Sequence, residues 1–378
     1  MKKRDFIKMG TISGLGISAF PQVALSSSQE KIKKRKAMNY SVDNLHEARY
    51  VLNTPKGLRC LICPNECTLE EGELSDCNNR RVIDGKLYTL AYNHPCAIHI
   101  DPIEKKPLLH YKPGVLAFSF GTAGCNFSCL NCQNSEISQK SPEQIRSYLA
   151  SPKSLVEGAI KENCPTIAYT YTEPVSYFEY MLDTAKLATE AGIDNLMISN
   201  GYINEEPLME LVPYLNAANI DLKVFDDLTY QRLTGGKLAP VLRTLEILKD
   251  HKIWIEITNL IVPEWSDDLG LIDKMCKWLS KKGFEDYPLH FSRFHPSYKL
   301  AHLPATPLKV LLDARNIARE HGIKHVYIGN VPEIDGENTS CPECQKVLIK
   351  RKGFRVLSNK IENNACPFCH TPVSGVWS

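Results

Sequence analysis

Residues 121–134 read Gly121-Thr-Ala-Gly-Cys-Asn-Phe-Ser-Cys-Leu-Asn-Cys-Gln-Asn134, and this stretch decides the fold. It places Cys125, Cys129 and Cys132 in a C-x3-C-x2-C array. The apolar run Val115-Leu-Ala-Phe-Ser-Phe120 comes directly before it, which predicts a buried strand followed by a loop. Thiolates are metal ligands, so three of them in one loop indicate a metal centre at the end of that strand.

The number of cysteines in this loop indicates which metal centre to expect. A [4Fe–4S] cluster closed by the protein takes four cysteines, so three leave one iron open to another ligand. S-adenosylmethionine (SAM), a chelating amino acid with a leaving group, can use that position, and one electron can then break its carbon–sulfur bond. A zinc knuckle is the alternative, but zinc takes four ligands, usually from paired CxxC turns. The loop resembles the signature of radical SAM enzymes, and [4Fe–4S] and SAM are the cofactors that we expect.

Length and composition indicate what kind of protein carries this metal centre. The chain has 378 residues, 43% of them apolar, and a formal net charge of +2. This length predicts a main body with attached modules. A near-neutral balance gives no electrostatic support for a nucleic-acid partner, so none is expected. The 14 cysteines fall mostly into groups with CxxC spacing, which indicates metal sites before disulfides.

The N-terminus is interpreted as a targeting segment, residues 1–26. Its Lys3-Arg-Asp-Phe-Ile-Lys8 run resembles a twin-arginine export motif and precedes a weakly apolar stretch from Met9 to Leu25. Twin-arginine export carries folded, cofactor-loaded proteins, so we expect a periplasmic or exported protein. A retained cytoplasmic extension and a membrane tether are the alternatives. Residues 27–55 are polar and basic and are predicted to be a linker.

A Cys-rich module is predicted over residues 56–110. Four of its cysteines fall within 18 residues, at Cys60, Cys63, Cys67 and Cys77. They are suited to a structural zinc, which their spacing favours, or to an auxiliary iron–sulfur cluster. The charged segment 101–107 that follows is predicted to be a solvated surface turn without a chemical role.

Residues 111–335 alternate short apolar strands with amphipathic helices. Strands are predicted at 115–121, 166–172, 194–200, 217–224, 253–261, 288–295 and 324–329. Repeated units of this kind predict an α/β fold with a parallel sheet, here a partial (β/α)6-type barrel. Reactive groups of such barrels gather at the C-terminal ends of the strands, where the cysteine loop also lies.

The strand over 217–224 carries an unusual polar face. The alternation of side chains places Asn219, Asp221 and Lys223 together, opposite apolar neighbours. Charged residues are rarely buried without a partner, and the methionine moiety of SAM is such a partner. Lys223 suits its carboxylate, and Asp221 suits an amine or a ribose hydroxyl. A mutual Asp–Lys salt bridge is the alternative.

Other predicted strands also end in polar side chains. Thr172-Glu173 ends the second strand with a carboxylate suited to an ammonium group. Ser199-Asn200 ends the third, and Gly201 after it permits close approach of the backbone. Arg293 and His295 share a face at the end of the sixth.

These motifs together resemble the radical SAM branch that contains the pyruvate formate-lyase activating enzymes, and most closely the AmmeMemoRadiSam-system radical SAM enzymes. The similarity runs from about Leu58 to Trp377 and includes Thr-Glu-Pro at 172–174, Asn-Ile-Asp-Leu-Lys at 219–223 and Ser-Arg-Phe-His-Pro at 292–296. The resemblance implies a radical SAM barrel in which Thr172 and Glu173 bind the SAM amine. It also implies that the rest of SAM is contacted by Ser199, Asn200, Asp221, Lys223 and His295.

A separate zinc-ribbon-like module is predicted over residues 336–378. Cys341-Pro-Glu-Cys344 and Cys366-Pro-Phe-Cys369 are two CxxC turns separated by 21 residues. Turns of this kind place four sulfurs tetrahedrally, so we expect zinc, with a rubredoxin-like iron site as the alternative.

The expected function is reductive cleavage of SAM to a 5′-deoxyadenosyl radical that abstracts hydrogen from an unidentified substrate, for which a protein is one candidate. An electron donor such as flavodoxin or ferredoxin is expected as a partner. An activating enzyme that forms a glycyl radical is an alternative of the same class. A non-catalytic zinc or iron–sulfur interaction protein belongs to a different class, as does an electron carrier, which has no need of the polar strand at 219–223.

Overall fold

The computed structural model describes residues 45–378 and the backbone of the two-residue strand Lys33–Lys34, which pairs antiparallel with Tyr148–Leu149. The predicted targeting segment, residues 1–26, and most of the predicted linker lie outside the described residues. Export therefore stays a prediction.

The N-terminal module consists of two small antiparallel sheets of three strands each. In chain order its strands are His46–Glu47, Val51–Thr54, Gly57–Cys60, Thr68–Leu69, Arg80–Ile83 and Lys86–Thr89. Two of them lie within the range assigned to the linker, because residues 45–55 pair with the hairpins that carry the cysteines. The ordered module thus begins before residue 56.

One mixed sheet of eight strands forms the main body. Its strands are β1 Ala97–Pro102, β2 Leu116–Gly121, β3 Thr166–Tyr169, β4 Asp194–Ser199, β5 Ala217–Asp221, β6 Trp254–Ile261, β7 Leu289–Arg293 and β8 Val326–Gly329. The spatial order follows the chain order from β1 to β8, with β1 antiparallel and the other seven parallel. Every predicted strand is present. The sheet is open between its edge strands β1 and β8, so a central, mostly parallel sheet is the established feature.

Helices connect the parallel strands, as βαβ units require. They are α1 Ser135–Ser138, α2 Pro152–Lys161, α3 Phe178–Glu190, α4 Glu205–Leu211, α5 Asp227–Thr234, α6 Leu238–Asp250, α7 Leu269–Lys281 and α8 Leu308–Glu320. Short 3-10 turns occur at Ile103–Lys105, Pro142–Gln144, Pro174–Tyr177, Val212–Tyr214 and Tyr298–Leu300. None of the helices in the described part of the chain is long and apolar enough to span a membrane.

Local sequence explains where these helices begin and end. The Ser151 hydroxyl accepts a hydrogen bond from the backbone N–H of Ser154 (3.2 Å) and caps α2, with Pro152 in its first turn. The Asp226 carboxylate caps α5 by accepting from Thr229 N–H (2.8 Å). Gly235, with φ of 84°, ends α5 in the left-handed conformation that favours glycine.

The sheet has apolar residues on both faces. The outer face packs against the helices; Phe118 and Phe120 of β2 and Tyr169 of β3 belong to this large core. The inner face holds a smaller cluster that includes Ala117, Ala168, Leu196 and Ala217. These small side chains leave space beside the inner face of the sheet, and the segment that follows β1 fills that space.

Residues 101–107, which comprise the end of β1 and the start of that segment, correct one prediction: they are not a solvated turn. Asp101 and Lys106 are buried, and the Lys106 ammonium donates to Asp101 at 2.6 Å. The Tyr171 hydroxyl donates to the same carboxylate at 2.5 Å, from a loop 70 residues away in sequence. Local sequence does not predict this burial, because the partners of these charges lie within the segment itself and on the distant Tyr171 loop, where they form buried ion pairs and hydrogen bonds.

The C-terminal module closes the same end of the interior. Its strands Thr339–Ser340, Val347–Lys352 and Arg355–Asn359 form an antiparallel sheet. The buried Arg351 guanidinium donates to the carbonyl oxygen of Leu109 at 2.6 Å, and His110 Nδ1 lies 2.6 Å from the carbonyl oxygen of Ser374. The module is therefore anchored to the main body through buried polar contacts.

Candidate functional site

The C-x3-C-x2-C loop lies directly after β2, at the C-terminal edge of the parallel sheet. Gly124 gives the loop its path: its φ is +89°, and a Cβ there would lie 2.4 Å from the carbonyl oxygen of Cys77. Only glycine fits such a close approach. On the other side, Gly124 N–H donates to the carbonyl oxygen of Ile137 at 3.0 Å. The loop is thus held between the N-terminal module and the short helix α1.

The cysteines of this loop suit a polynuclear cluster better than a single zinc ion. A zinc with Zn–S bonds of 2.3 Å holds its sulfurs about 3.8 Å apart. Within residues 45–378, the C-terminal cysteines are the group whose ligand atoms all lie within 4.8 Å of one another; Cys125, Cys129 and Cys132 do not form such a group. All three are free and partly exposed, which gives a cluster access to a further ligand. The donor set fits three corners of a [4Fe–4S] cluster.

Glu173 organises the ends of two neighbouring strands. Its buried carboxylate accepts hydrogen bonds from the Ser199 hydroxyl (2.7 Å), from Asn200 N–H (2.8 Å) and from Val175 N–H (3.1 Å). Burial raises the pKa of Glu173 to about 7, although these donors oppose the rise. One acceptor position on Oε2 is left, because each carboxylate oxygen has two lone pairs and Oε2 receives one bond.

Asn126 joins this network to the cysteine loop, and sequence analysis did not identify it. Its Oδ1 accepts from the Asn200 amide at 2.8 Å, while its own amide donates to the carbonyl oxygen of Tyr202 at 2.8 Å. The Thr172 hydroxyl donates to the carbonyl oxygen of Thr122 at 2.8 Å. In the sequence, Asn126 is marked only by its position directly after Cys125. A single asparagine between cysteines forms no periodic pattern from which its contacts could be predicted.

Asp221 and Lys223 lie together on the other side of the loop. The Lys223 ammonium donates to Asp221 Oδ2 at 2.8 Å, so the salt bridge weighed as the alternative is formed. Burial raises the pKa of the Cys129 thiol to about 12, and the nearby Lys223 cation opposes that rise. An ammonium has three donors, and this ion pair uses one. Lys223 therefore keeps donors for an anion beside Cys129.

The end of β7 contributes less to the assembled site. Arg293 is the last residue of β7, and its Nε–H donates to the carbonyl oxygen of Thr306 at 2.9 Å. His295 is exposed on the loop that follows. The structure thus connects Thr172, Glu173, Ser199 and Asn200 with the loop and places Asp221 and Lys223 beside it, with His295 at the same edge.

The C-terminal cysteines form a compact second centre. Cys341 Sγ lies 3.5 Å from Cys369 Sγ, and Cys344 Sγ lies 3.6 Å from Cys366 Sγ. These separations match the spacing of about 3.8 Å for four sulfurs around one zinc. The Thr371 hydroxyl, 3.3 Å from Cys369, lowers the pKa of that thiol to about 6, which favours the ligating thiolate.

Comparison with known proteins agrees with this architecture. The family model described as the radical SAM superfamily matches residues 120–275, which contain the cysteine loop, Glu173, Ser199 and Lys223. The chain belongs to the radical SAM superfamily. Members of this superfamily use a [4Fe–4S] cluster and SAM, and the residues described above fit both.

Individual proteins are similar to this chain to different degrees. It is 46% identical over 314 residues to an uncharacterized protein of Methanocaldococcus jannaschii, covering 82% of this chain and 93% of that protein. It is 23% identical to the pyruvate formate-lyase 1-activating enzyme of Escherichia coli, over 41% of this chain and 65% of that enzyme. The predicted relationship to the activating enzymes is thus confirmed as a distant one. A solved structure of Streptococcus suis SuiB bound to S-adenosylmethionine is 12% identical, with a TM-score of 0.45, over 57% of this chain and 51% of that chain.

Proposed function

We propose that this chain cleaves SAM reductively to a 5′-deoxyadenosyl radical, which abstracts a hydrogen atom from a substrate that is not yet identified. The observation that carries the proposal is the convergence of three free cysteines, the Glu173 network and Lys223 at one edge of the sheet. The cluster supplies one electron to SAM when both are bound, and an external donor such as flavodoxin or ferredoxin replaces that electron.

The chain's own residues have distinct tasks in this reaction. Cys125, Cys129 and Cys132 hold the cluster as thiolates and leave one iron free of protein ligands. The Glu173 carboxylate offers its remaining acceptor position to the ammonium group of SAM and keeps the Ser199 hydroxyl and Asn200 N–H in place. Lys223 directs its remaining donors to the SAM carboxylate.

The experiment is anaerobic incubation of the reconstituted protein with SAM and dithionite, followed by measurement of 5′-deoxyadenosine. We expect its formation by the wild type and its loss when any one of the three loop cysteines is replaced by serine. A triple serine variant that still makes 5′-deoxyadenosine would overturn the assignment.

Formation of a glycyl radical on another enzyme is a second candidate. It is supported by the names of two distant relatives, the pyruvate formate-lyase 1-activating enzyme and the 4-hydroxyphenylacetate decarboxylase activating enzyme of Clostridium scatologenes. Under this candidate, a glycine-containing target protein incubated with the enzyme and SAM acquires an electron paramagnetic resonance signal, and one deoxyadenosine forms for each radical. Deoxyadenosine without any radical on the target would exclude it.

Two further assignments remain proposals. The C-terminal cysteines hold zinc, which elemental analysis of the purified protein tests. Residues 1–26 direct export, which the distribution of the full chain between cytoplasm and periplasm tests, with a chain in which Arg4 is replaced by glutamine as the control.

A further inference from the structure

The N-terminal module gathers four cysteines that the proposed reaction does not use. Cys60 ends one strand, and its N–H donates to the carbonyl oxygen of Cys67 at 3.0 Å across the hairpin. Cys63 lies in the turn between them, and Cys77 lies in the loop before the strand Arg80–Ile83. All four thiols are free, and Cys60 and Cys77 are buried.

The four cysteines are gathered in one region of the module. Cys60, Cys67 and Cys77 all lie close enough to Cys63 for their charges to interact. The Ser75 hydroxyl lies 3.1 Å from Cys77 Sγ and can donate to a thiolate there. A hydrogen bond to a ligating sulfur orients it and stabilises its charge. This arrangement is that of a ligand set and not of inert core cysteines.

The spacing of the sulfurs separates the two kinds of metal centre that four cysteines can hold. In the C-terminal module of the same chain, sulfurs lie 3.5 and 3.6 Å apart, as a mononuclear zinc requires. Within the described residues 45–378, no three sulfurs of the N-terminal set form such a group within 4.8 Å. A cubane carries its cysteines on four different irons and so holds their sulfurs further apart. The N-terminal sulfurs lack the compact spacing of the C-terminal group in the same chain, which favours a cubane over a single zinc ion.

A buried cation adjoins this set. Arg80 is 1% exposed, and its Nη1–H donates to Glu179 at 2.6 Å. Its Nη2 is buried without a hydrogen-bond partner in the described part of the chain. The same guanidinium lies close enough to Cys60 for their charges to interact. Buried donors are rarely left unpaired, and a thiolate-ligated metal centre is an anion that Nη2 can face.

We propose that Cys60, Cys63, Cys67 and Cys77 hold a second iron–sulfur cluster of the [4Fe–4S] type. Four cysteines occupy all four irons, so this cluster has no open position and does not bind SAM. It is distinct from the cluster assigned to the C-x3-C-x2-C loop.

The second cluster lies directly behind that loop. The Asn79 amide donates to the carbonyl oxygen of Ala123 at 2.7 Å, and the Asn65 amide donates to the carbonyl oxygen of Asn126 at 3.0 Å. The carbonyl oxygen of Cys77 is the atom that excludes any side chain at position 124. Residues of the N-terminal ligand loops thus contact residues on both sides of Cys125, which makes the second cluster a support of the first.

The test is metal analysis of a full-length variant with Cys125→Ala, Cys129→Ala and Cys132→Ala, reconstituted anaerobically with iron, sulfide and zinc. We expect about four irons, from the N-terminal cubane, and about one zinc, from the C-terminal module. Adding Cys63→Ala and Cys67→Ala should remove the iron and leave the zinc, which reports a folded chain. Two zinc ions without iron, or one zinc without iron, would overturn the proposal.

A second measurement covers the case in which the triple variant does not fold. Mössbauer spectroscopy of the wild type should show two cubanes, about eight irons per chain. A single cubane in fully reconstituted wild type would equally overturn the proposal. Neither readout depends on SAM cleavage, so failure of this inference and failure of the proposed function are distinguishable.

Discussion

The Ser199 hydroxyl donates a hydrogen bond of 2.7 Å to the Glu173 carboxylate, and this bond connects the C-terminal ends of two adjacent parallel strands. The same carboxylate accepts from Asn200 N–H, and the Asn200 side chain reaches Asn126 in the cysteine loop. A single buried acid therefore aligns the loop with the strand ends on which SAM is expected to lie. Preorganisation of this kind means that each donor is already held in position before the ligand binds.

Replacing Glu173 with glutamine should weaken SAM binding without loss of the cluster. The amide keeps the shape of the side chain but removes the charge and places a donor opposite either Asn200 N–H or the Ser199 hydroxyl. Hydrogen bonds to charged groups contribute about 1.5–3 kcal/mol, so we expect the Kd for SAM to rise roughly ten- to a hundredfold. Isothermal titration into anaerobic reconstituted protein measures it. Ser199→Ala is the matched control, with a smaller expected effect, and an unchanged Kd in Glu173→Gln would remove this acid from the site.

The pKa of Glu173 also predicts how SAM affinity depends on pH. Burial raises this pKa to about 7, so below pH 7 the neutral acid predominates and above it the carboxylate does. Only the carboxylate pairs with an ammonium group, so affinity should rise as pH increases through 7. When the pH is lowered from 8 to 6, protonation of Glu173 alone should weaken SAM binding roughly tenfold. SAM and the other groups also titrate, so the measurement is the difference between wild type and Glu173→Gln. Identical pH profiles for the two proteins would contradict the assignment.

Lys223→Met tests the cation beside Cys129. The substitution keeps the length of the side chain and removes its charge, and we expect SAM affinity to fall roughly ten- to a hundredfold with unchanged iron content. In the structure Lys223 also pairs with Asp221 at 2.8 Å, so a purely structural role is the competing explanation. That role predicts a lower Tm and an unaltered Kd. Asp221→Asn is the comparison variant, because it breaks the ion pair and leaves the lysine in place.

Much of this site follows from sequence because its residues have regular spacing. The three loop cysteines are near neighbours in the chain, and Asp221 and Lys223 lie two apart on one strand face, so alternation alone places them together. The contacts that could not be predicted join residues distant in sequence. Asn126 meets Asn200 across 74 positions, and no pattern in either stretch marks the pair.

Cys344→Ser should remove zinc from the C-terminal module and destabilise the barrel. Metal binding to four thiolates contributes to the folding free energy of such a small module, so its loss should lower Tm by several degrees. The effect should extend to the main body because Arg351 and Ser374 contact Leu109 and His110 in the segment that follows β1. Zinc content and thermal unfolding are the measurements. The isolated Cys96→Ala is the control, and a zinc-free variant with the Tm of the wild type would contradict this prediction.

In the segment 101–107, two lysines pair with one carboxylate. Comparing them shows whether burial or charge pairing controls how much each lysine contributes to the stability of the fold. Lys106 lies 2.6 Å from Asp101 with a side chain 2% exposed, whereas Lys105 lies 2.9 Å from the same group with a side chain 48% exposed. Removing one partner of a buried ion pair typically costs up to about 3–5 kcal/mol, although Lys105 and Tyr171 still contact the Asp101 carboxylate, while an exposed pair contributes about 0–1 kcal/mol. Lys106→Met should therefore lower the free energy of unfolding by several times more than Lys105→Met does. Denaturant unfolding of both variants beside the wild type measures the difference.

The Tyr171 hydroxyl shares the Asp101 carboxylate, so Lys106→Met should also disturb the strand end that leads to Thr172 and Glu173. Equal effects of the two substitutions would show that Asp101 is solvated in solution and that the segment does not fill the barrel interior.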